Sequence, residues 1–342
     1  MKNVIKRKIK NILYRIRSLQ YPPNPQTINF DLSDPHSLTE DGQQFLILDE
    51  VEDQERILIF SSNAQMRIML QSECLHMDGT FKSCPDLFNQ LYIIHGYHRG
   101  ESLPVCYALM TNRTANSYSK MFRALKIRAL TISPRGLNPA SIITDYEPAI
   151  KAAIELEFPL TTHYGCYFHM CQALLRYVSQ NGLLVNLREN NDFAENFRLR
   201  CISALFPSNK IALLINRIDE VHPCPEAFKT YFDNNWLPKA STISCFERIT
   251  RRTNNPSEGY NSGFNNKIPR GRKNFWAFIL ILQQEEKYGR IRIEKLDDGA
   301  EPRQQKPRFM RRDNALLAWK DAFDESDLLF EARKARRIIA EN

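Results

Sequence analysis

Several large functional classes are excluded by what this 342-residue sequence lacks. No apolar run approaches the roughly 20 residues that cross a bilayer, and the longest candidate, FWAFILIL at 275–282, reads as a buried helix. The N-terminal MKNVIKRKIKNILYRIRS has no apolar core of the kind a secretory signal needs. No two of the eight cysteines stand as C-x-x-C, and several lie inside apolar runs. They read as reduced, buried thiols of an intracellular protein and not as a disulfide framework. The G-x-x-x-x-G-K-[ST], G-x-G-x-x-G and G-x-S-x-G motifs are all missing, which removes support for NTPase, dinucleotide and serine-hydrolase readings. Acidic residues are absent before Asp31.

The charge that is present is basic: 47 Lys plus Arg against 39 Asp plus Glu, a net of +8. Each Lys or Arg set against a phosphate releases a condensed counterion, so a surplus of this sign favours polyanionic partners. A merely soluble basic protein accounts for net charge alone equally well. Hydrophobic content of 43%, with 11% aromatic, is enough for a sizeable core. In the N-terminal segment Ile5, Ile9, Ile12, Ile16 and Leu19 share one helical face. A basic amphipathic helix against nucleic acid, or a nuclear import signal, fits it better than a transit peptide, because it is Lys-rich and Ser-poor.

Residues 21–44 are rich in Pro, Asn, Asp and Ser and read as a linker. FLILDEVEDQERILIF then suggests two short strands around an acidic turn, followed by a helix over 64–72. CLHMDGTF, QLYIIHGY (90–97) and LPVCYALM (103–110) are β-rich runs separated by turn residues, the pattern of a three-stranded antiparallel meander. A helix is expected over 117–130, a strand at 141–144, a helix from Pro148, a strand at 163–167 and a helix through Val178. Residues 183–250 carry only helical periodicity. A loop is expected at 251–273, then a helix at 274–288 and a charged tail that becomes helical again.

Two carboxylates stand out. Asp78 lies within a strand pattern, where Asp is depleted, and precedes Gly79, where backbone can approach a ligand closely. Asp145 ends a short apolar strand, the place where open α/β sheets bind ligands. If those strands were neighbours, the two anions would repel unless a hard divalent cation lay between them. The bland reading of Asp145 is a turn or N-cap residue. A helical carboxylate such as Glu258 would complete such a site. Two metals about 4 Å apart can stabilise the attacking and leaving oxygens of an in-line phosphoryl transfer.

Four blocks, HMDGTFKSCPDLFNQLYIIHGY (76–97), SIITDYEPAI (141–150), GCYFHMCQALLRYV (165–178) and RRTNNPSEGYNSGFNNKI (251–268), resemble the signature blocks of Mutator-like (MULE) transposases. They occur in that family's order, and the resemblance covers roughly residues 45–290. It implies an α/β, RNase H-like mixed sheet, three antiparallel strands plus two parallel, flanked by helices. An all-α insertion (about 183–250) would precede the last catalytic helix. The family's metal-binding catalytic triad carries over as Asp78 in DGTF, Asp145 in TDYE and Glu258 in NNPSEG, with Mg²⁺ or Mn²⁺ as cofactor. A metal-activated water would cut a strand at the element end, and the freed 3′-hydroxyl would attack target DNA. The implied partners are DNA, both terminal inverted repeats and target, with a homodimer allowed, no membrane and a nuclear location. A C-x-x-H motif, Cys166 and His169, also matches the family. Two ligands are too few for structural zinc; His222 and Cys224 could supply the rest, although nothing in the spacing demands it. His169 near the active site and a buried Cys with a core His stand as equal readings.

Arg248, Arg251, Arg252, Lys267, Arg270, Arg272 and Lys273 surround Glu258 with few acids, the mark of a solvated basic loop or, beside a metal site, of phosphate contact, while Asn254, Asn255 and Asn261 could orient backbone and phosphate oxygens. The zinc-binding recognition modules that usually flank this core in relatives have no Cys/His array here. The chain therefore reads as a truncated element, a split gene product or a partial gene model. Its expected divisions are a basic helix and linker at 1–44, the core at 45–290 and a charged helical tail at 291–342. Two alternatives share the same evidence, a transposase-derived DNA-binding protein without activity and a metal-dependent nuclease without strand transfer.

Overall fold

The computed structural model describes residues 21–81, 83–253, 255–268 and 274–341. The N-terminal amphipathic helix, Asn254, Arg270, Arg272 and Lys273 lie outside the described residues. Two compact units form, Met1–Pro139 with Ser257–Glu301, and Ala140–Pro256 with Pro302–Asn342. Among the described residues seven strands, mixed in direction and flanked by helices, are divided between them. No helix among the described residues is long and apolar enough to cross a membrane.

The first unit contains β1 (Leu46–Glu52), β2 (Glu55–Phe60), α1 (Asn63–Gln71), β3 (Cys74–Thr80), β4 (Gln90–His98), β5 (Glu101–Met110) and α2 (Ala115–Leu130). Its strands pair antiparallel in the order β1-β2-β5-β4-β3. The β3–β4–β5 meander is as expected, but five strands are antiparallel and not three. The reason lies in the acidic turn and in β2. Asp53 and Gln54 both take positive φ, 48° and 63°, the backbone of a two-residue hairpin connection whose twist suits paired strands. β2 is buried over nearly its whole length, so it needs a partner on both sides and finds the second in β5.

Alternation along β4 and β5 then fixes what each face touches. Leu91, Ile93, Tyr107 and Leu109 pack against Phe264 of α10 (Asn255–Lys267), against Ile268 just past its end, and against Phe275, Phe278, Ile279 and Leu282 of α11 (Phe275–Asp297). On the opposite face Tyr92 meets the Tyr118 ring of α2 at 5.2 Å, and Gln90 donates to the Tyr118 hydroxyl at 2.9 Å.

Helix α10 replaces most of the loop expected at 251–273. Its sequence, NPSEGYNSGFNNK, is rich in residues that cost roughly 0.5–1 kcal/mol each in a helix, which is why local pattern reads it as a loop. Tyr260, Phe264 and Ile268 recur at four-residue spacing and dock on the sheet. Burial of such side chains contributes roughly 1.5–3 kcal/mol each, enough to offset the propensity deficit. Tertiary packing, not propensity, makes this helix.

The second unit contains the parallel pair β6 (Ser141–Thr144) and β7 (Thr162–Gly165), connected by α3 (Pro148–Glu157) and followed by α4 (Tyr167–Gln180). Pro148 occupies the first turn of α3, where no N–H is required. Five helices follow, α5 (Leu184–Glu189), α6 (Asn191–Ser203), α7 (Ser208–Val221), α8 (Glu226–Asn235) and α9 (Ala240–Ile243). The last two, α12 (Pro307–Asp321) and α13 (Leu328–Glu341), return to the same core of Leu174, Phe193, Phe206, Phe228 and Trp319.

Candidate active site

In the first unit the pleat decides where Asp78 points. The pairing registers set His76 opposite His95, Asp78 opposite Ile93 and Thr80 opposite Leu91. Directly opposed residues share a face, so these three project toward the side covered by α10. The helix meets them with a polar row. Asn261 donates from Nδ2 to Asp78 Oδ2 at 2.7 Å, and Thr80 Oγ1 lies 3.4 Å from Asn265 Oδ1. Glu258, Asn261 and Asn265 stand at i, i+3 and i+7, one helical face. Asp78 and Glu258 are both half-buried, while Asn261 is only 5% exposed. The amide therefore orients a carboxylate.

The opposite flank of α10 is held by a buried chain of hydroxyls. Tyr260 donates to Glu285 Oε2 at 2.8 Å, so its single proton is committed and its oxygen accepts from Tyr107 at 2.9 Å. Burial pushes both phenols well above their ordinary range. Lys267 closes this chain through Glu285 Oε1, with its side chain half exposed. Its ammonium thus has a carboxylate partner within the fold. His95 lies against the Tyr260 ring at 5.1 Å. Burial first, and His76 beside it, hold His95 down to about 3. It is neutral at physiological pH and adds no charge near Asp78.

In the second unit Asp145 directly follows β6 and is half-buried. Its Oδ1 accepts from the Glu147 N–H at 3.2 Å, the local turn role of an Asp ahead of a helix. Thr144 donates its one proton to the Asp145 carbonyl at 2.7 Å, so its oxygen must accept from His163 Nε2 at 2.8 Å. Burial pulls His163 down to about 4, which keeps that ring neutral.

Cys166 is fully buried, and its N–H donates to the Thr144 carbonyl at 2.8 Å, joining the start of α4 to the end of β6. His169 is half-buried in the first turn of α4. His222 is engaged with Asp192 at 3.1 Å and Arg333 at 3.2 Å, and Cys224 lies 4.0 Å from Asp219. Among the described residues neither joins Cys166 and His169 in a metal-ligand group.

Gly165 admits no side chain. A methyl there would fall inside the ring of Tyr146, which is itself set edge-on to Trp236 at 4.9 Å. Gly165→Ala is expected to cost roughly 2–3 kcal/mol by overpacking and to displace the residue next to Asp145. Thermal melting should show a lowered midpoint for Gly165→Ala, with partial recovery when Tyr146→Ala is added. An unchanged midpoint would contradict this packing.

The basic residues near Glu258 divide by task. Arg251 is exposed. Arg252 is 4% exposed, ion-paired with Asp313 at 2.8 Å and donating to the Ile249 carbonyl at 2.6 Å, so it braces the second unit. Arg248 donates to the Gly165 carbonyl at 2.6 Å and covers the Tyr164 ring at 4.6 Å.

Fold and site together define a mixed α/β protein with carboxylates at strand positions and a polar helix face set against one of them. Residues 74–173 match the family model for the MULE transposase domain. The match runs from β3 into α4 and includes Asp78, Asp145, Cys166 and His169, while Glu258 lies beyond it. No curated protein matches the chain.

Proposed function

We propose that the chain is the catalytic core of a DNA transposase, a metal-dependent polynucleotidyl transferase acting in the nucleus. Asp78, Asp145 and Glu258 are the proposed ligands of Mg²⁺ or Mn²⁺. The observation that carries the reading furthest is the Asn261–Asp78 hydrogen bond. It ties the Asp of the DGTF block to the helix bearing the Glu of the NNPSEG block, two motifs 180 positions apart in the chain. The donor set fits the cation, since hard divalent ions take carboxylate oxygens. When bound, such ions lower the pKa of water and neutralise charge on a phosphodiester undergoing in-line displacement.

The chain's own contribution is to position and to neutralise. Asn261 fixes the rotamer of Asp78, and the Tyr107–Tyr260–Glu285 chain fixes α10 on the sheet. Phosphate contacts are assigned to Arg251 and, outside the described residues, to Arg270, Arg272 and Lys273. The chemistry is strand cleavage at element ends followed by attack of the freed 3′-hydroxyl on target DNA.

Incubation with DNA carrying the terminal inverted repeats tests this. Cleavage is expected in Mg²⁺ or Mn²⁺ and none in EDTA. DNA binding with no metal-dependent cutting would replace the reading with that of a non-catalytic DNA-binding protein. Cutting without joining to target would identify a nuclease.

A further inference from the structure

A second feature stands three residues beyond Asp78. Phe81 is 54% exposed, whereas Phe88 in the same connection to β4 is 5% exposed. An exposed aromatic alone is ordinary. Phe81 differs in its surroundings. The Arg113 guanidinium lies over its ring at 5.0 Å from the centroid. Arg113 is flanked by two anchored residues, for Asn112 donates to Glu55 and Thr114 caps α2 through the Ser117 N–H. Among the described residues Arg113 forms no ion pair with a carboxylate. Its cation is thus held over an aromatic face.

The position is set by the sheet. Gln90 at the start of β4 is opposite Met110 at the end of β5, and Thr80 at the end of β3 is opposite Leu91. The C-terminal ends of β3 and β5 therefore lie at one end of this unit's sheet, with Phe81 just past one and Arg113 just past the other. Asp78 and the Asn261–Asn265 face of α10 lie at that same end.

We infer that Phe81 and Arg113 form a clamp for one unstacked nucleotide of a DNA strand, the base stacking on the Phe81 ring and Arg113 meeting its phosphate. An aromatic face takes any base, and a guanidinium adds both stacking and a phosphate donor. This deepens the transposase reading, on which it rests, by naming a contact for DNA beside the reacting strand.

The test is binding of a fluorescein-labelled single-stranded DNA oligonucleotide to the full chain, followed by anisotropy in EDTA so that no cleavage enters. Phe81→Ala is expected to weaken binding about 10-fold, a typical loss for one stacked base. Phe81→Trp should retain affinity, and Phe81→Leu should fall with Phe81→Ala. Arg113→Ala should weaken binding and lower the salt slope by about one unit. All four variants should melt with the wild type, because both side chains are exposed. The clamp is overturned if wild type does not bind the strand, if Phe81→Ala binds within twofold of it, or if Phe81→Leu matches it. Loss of metal-dependent cleavage in the wild type with Phe81-dependent binding intact would sink the transposase chemistry and leave the clamp standing.

Discussion

Asp78→Asn and Asp145→Asn are each expected to reduce metal-dependent DNA cleavage by about 10³-fold or more while leaving DNA binding within severalfold of wild type. The size follows from what a carboxylate ligand supplies. Charge stabilisation by a positioned metal is worth several kcal/mol in the transition state, and about 1.4 kcal/mol is a factor of ten in rate. Asn is the informative substitution at both sites. At 78 it can still accept from Asn261, and at 145 it can still accept from the Glu147 N–H, so backbone and rotamer survive while the charge is lost. Alanine at 145 would also remove the turn, which confuses a folding defect with a chemical one. Melting within about 1 °C of wild type, together with abolished cleavage, is the expected pair of results. Cleavage within tenfold of wild type in either variant would remove that residue from the triad.

The second large effect is on stability. Asp219→Ala is expected to destabilise the second unit by roughly 3–5 kcal/mol, because removing one partner of a buried pair strands the other charge. Arg200 is fully buried, donating twice to Asp219 at 2.6 and 2.8 Å and once to Asn196 at 2.8 Å. Its guanidinium also covers the Phe232 ring at 4.6 Å. Asn196 donates in turn to Asp219 at 2.9 Å and to the His222 carbonyl at 2.7 Å, so α6, α7 and the turn after α7 share one network. Asp233, 3.7 Å from Arg200, offers partial compensation and places the expected cost toward the lower end of that range. Urea titration reads the loss directly. The double variant Arg200→Met with Asp219→Leu should lose less than Asp219→Ala, since no buried charge is left alone. A cost below about 1 kcal/mol for Asp219→Ala would mean that water reaches Arg200 in its place.

Much of the strand content was legible locally. The alternating or continuous apolar runs at 74–81, 90–97, 103–110 and 141–144 carry β-branched and aromatic residues between turn signals, and each falls on a strand, with ends that differ by two residues or fewer. The sheet of the first unit was harder, because β1 and β2 read correctly as strands but their joining to β5 is a long-range pairing with no local signature. Helix α10 is invisible to local pattern for a definite reason. Its Asn, Ser and Gly content argues against a helix, and the signal that overrides it is the spacing of Tyr260, Phe264 and Ile268, only three residues long. The same helix hid part of the candidate site. Glu258 is marked by its motif, but the pairing of Asn261 with Asp78 depends on the strand register and has no local signature. Charge density around Glu258 was also only partly informative. It marks the region, yet it cannot distinguish Arg252, which is consumed by Asp313, from the exposed Arg251.

The most direct test of the proposal that Asp78, Asp145 and Glu258 hold a cation is Mn²⁺ binding followed by electron paramagnetic resonance, with no DNA present. Wild type should take up Mn²⁺, and Asp78→Asn, Asp145→Asn and Glu258→Gln should each weaken that uptake by at least about tenfold, as expected when one hard ligand is lost. Unaltered uptake by Asp145→Asn would contradict the account, because the carboxylate of the second unit would then have no part in holding the cation.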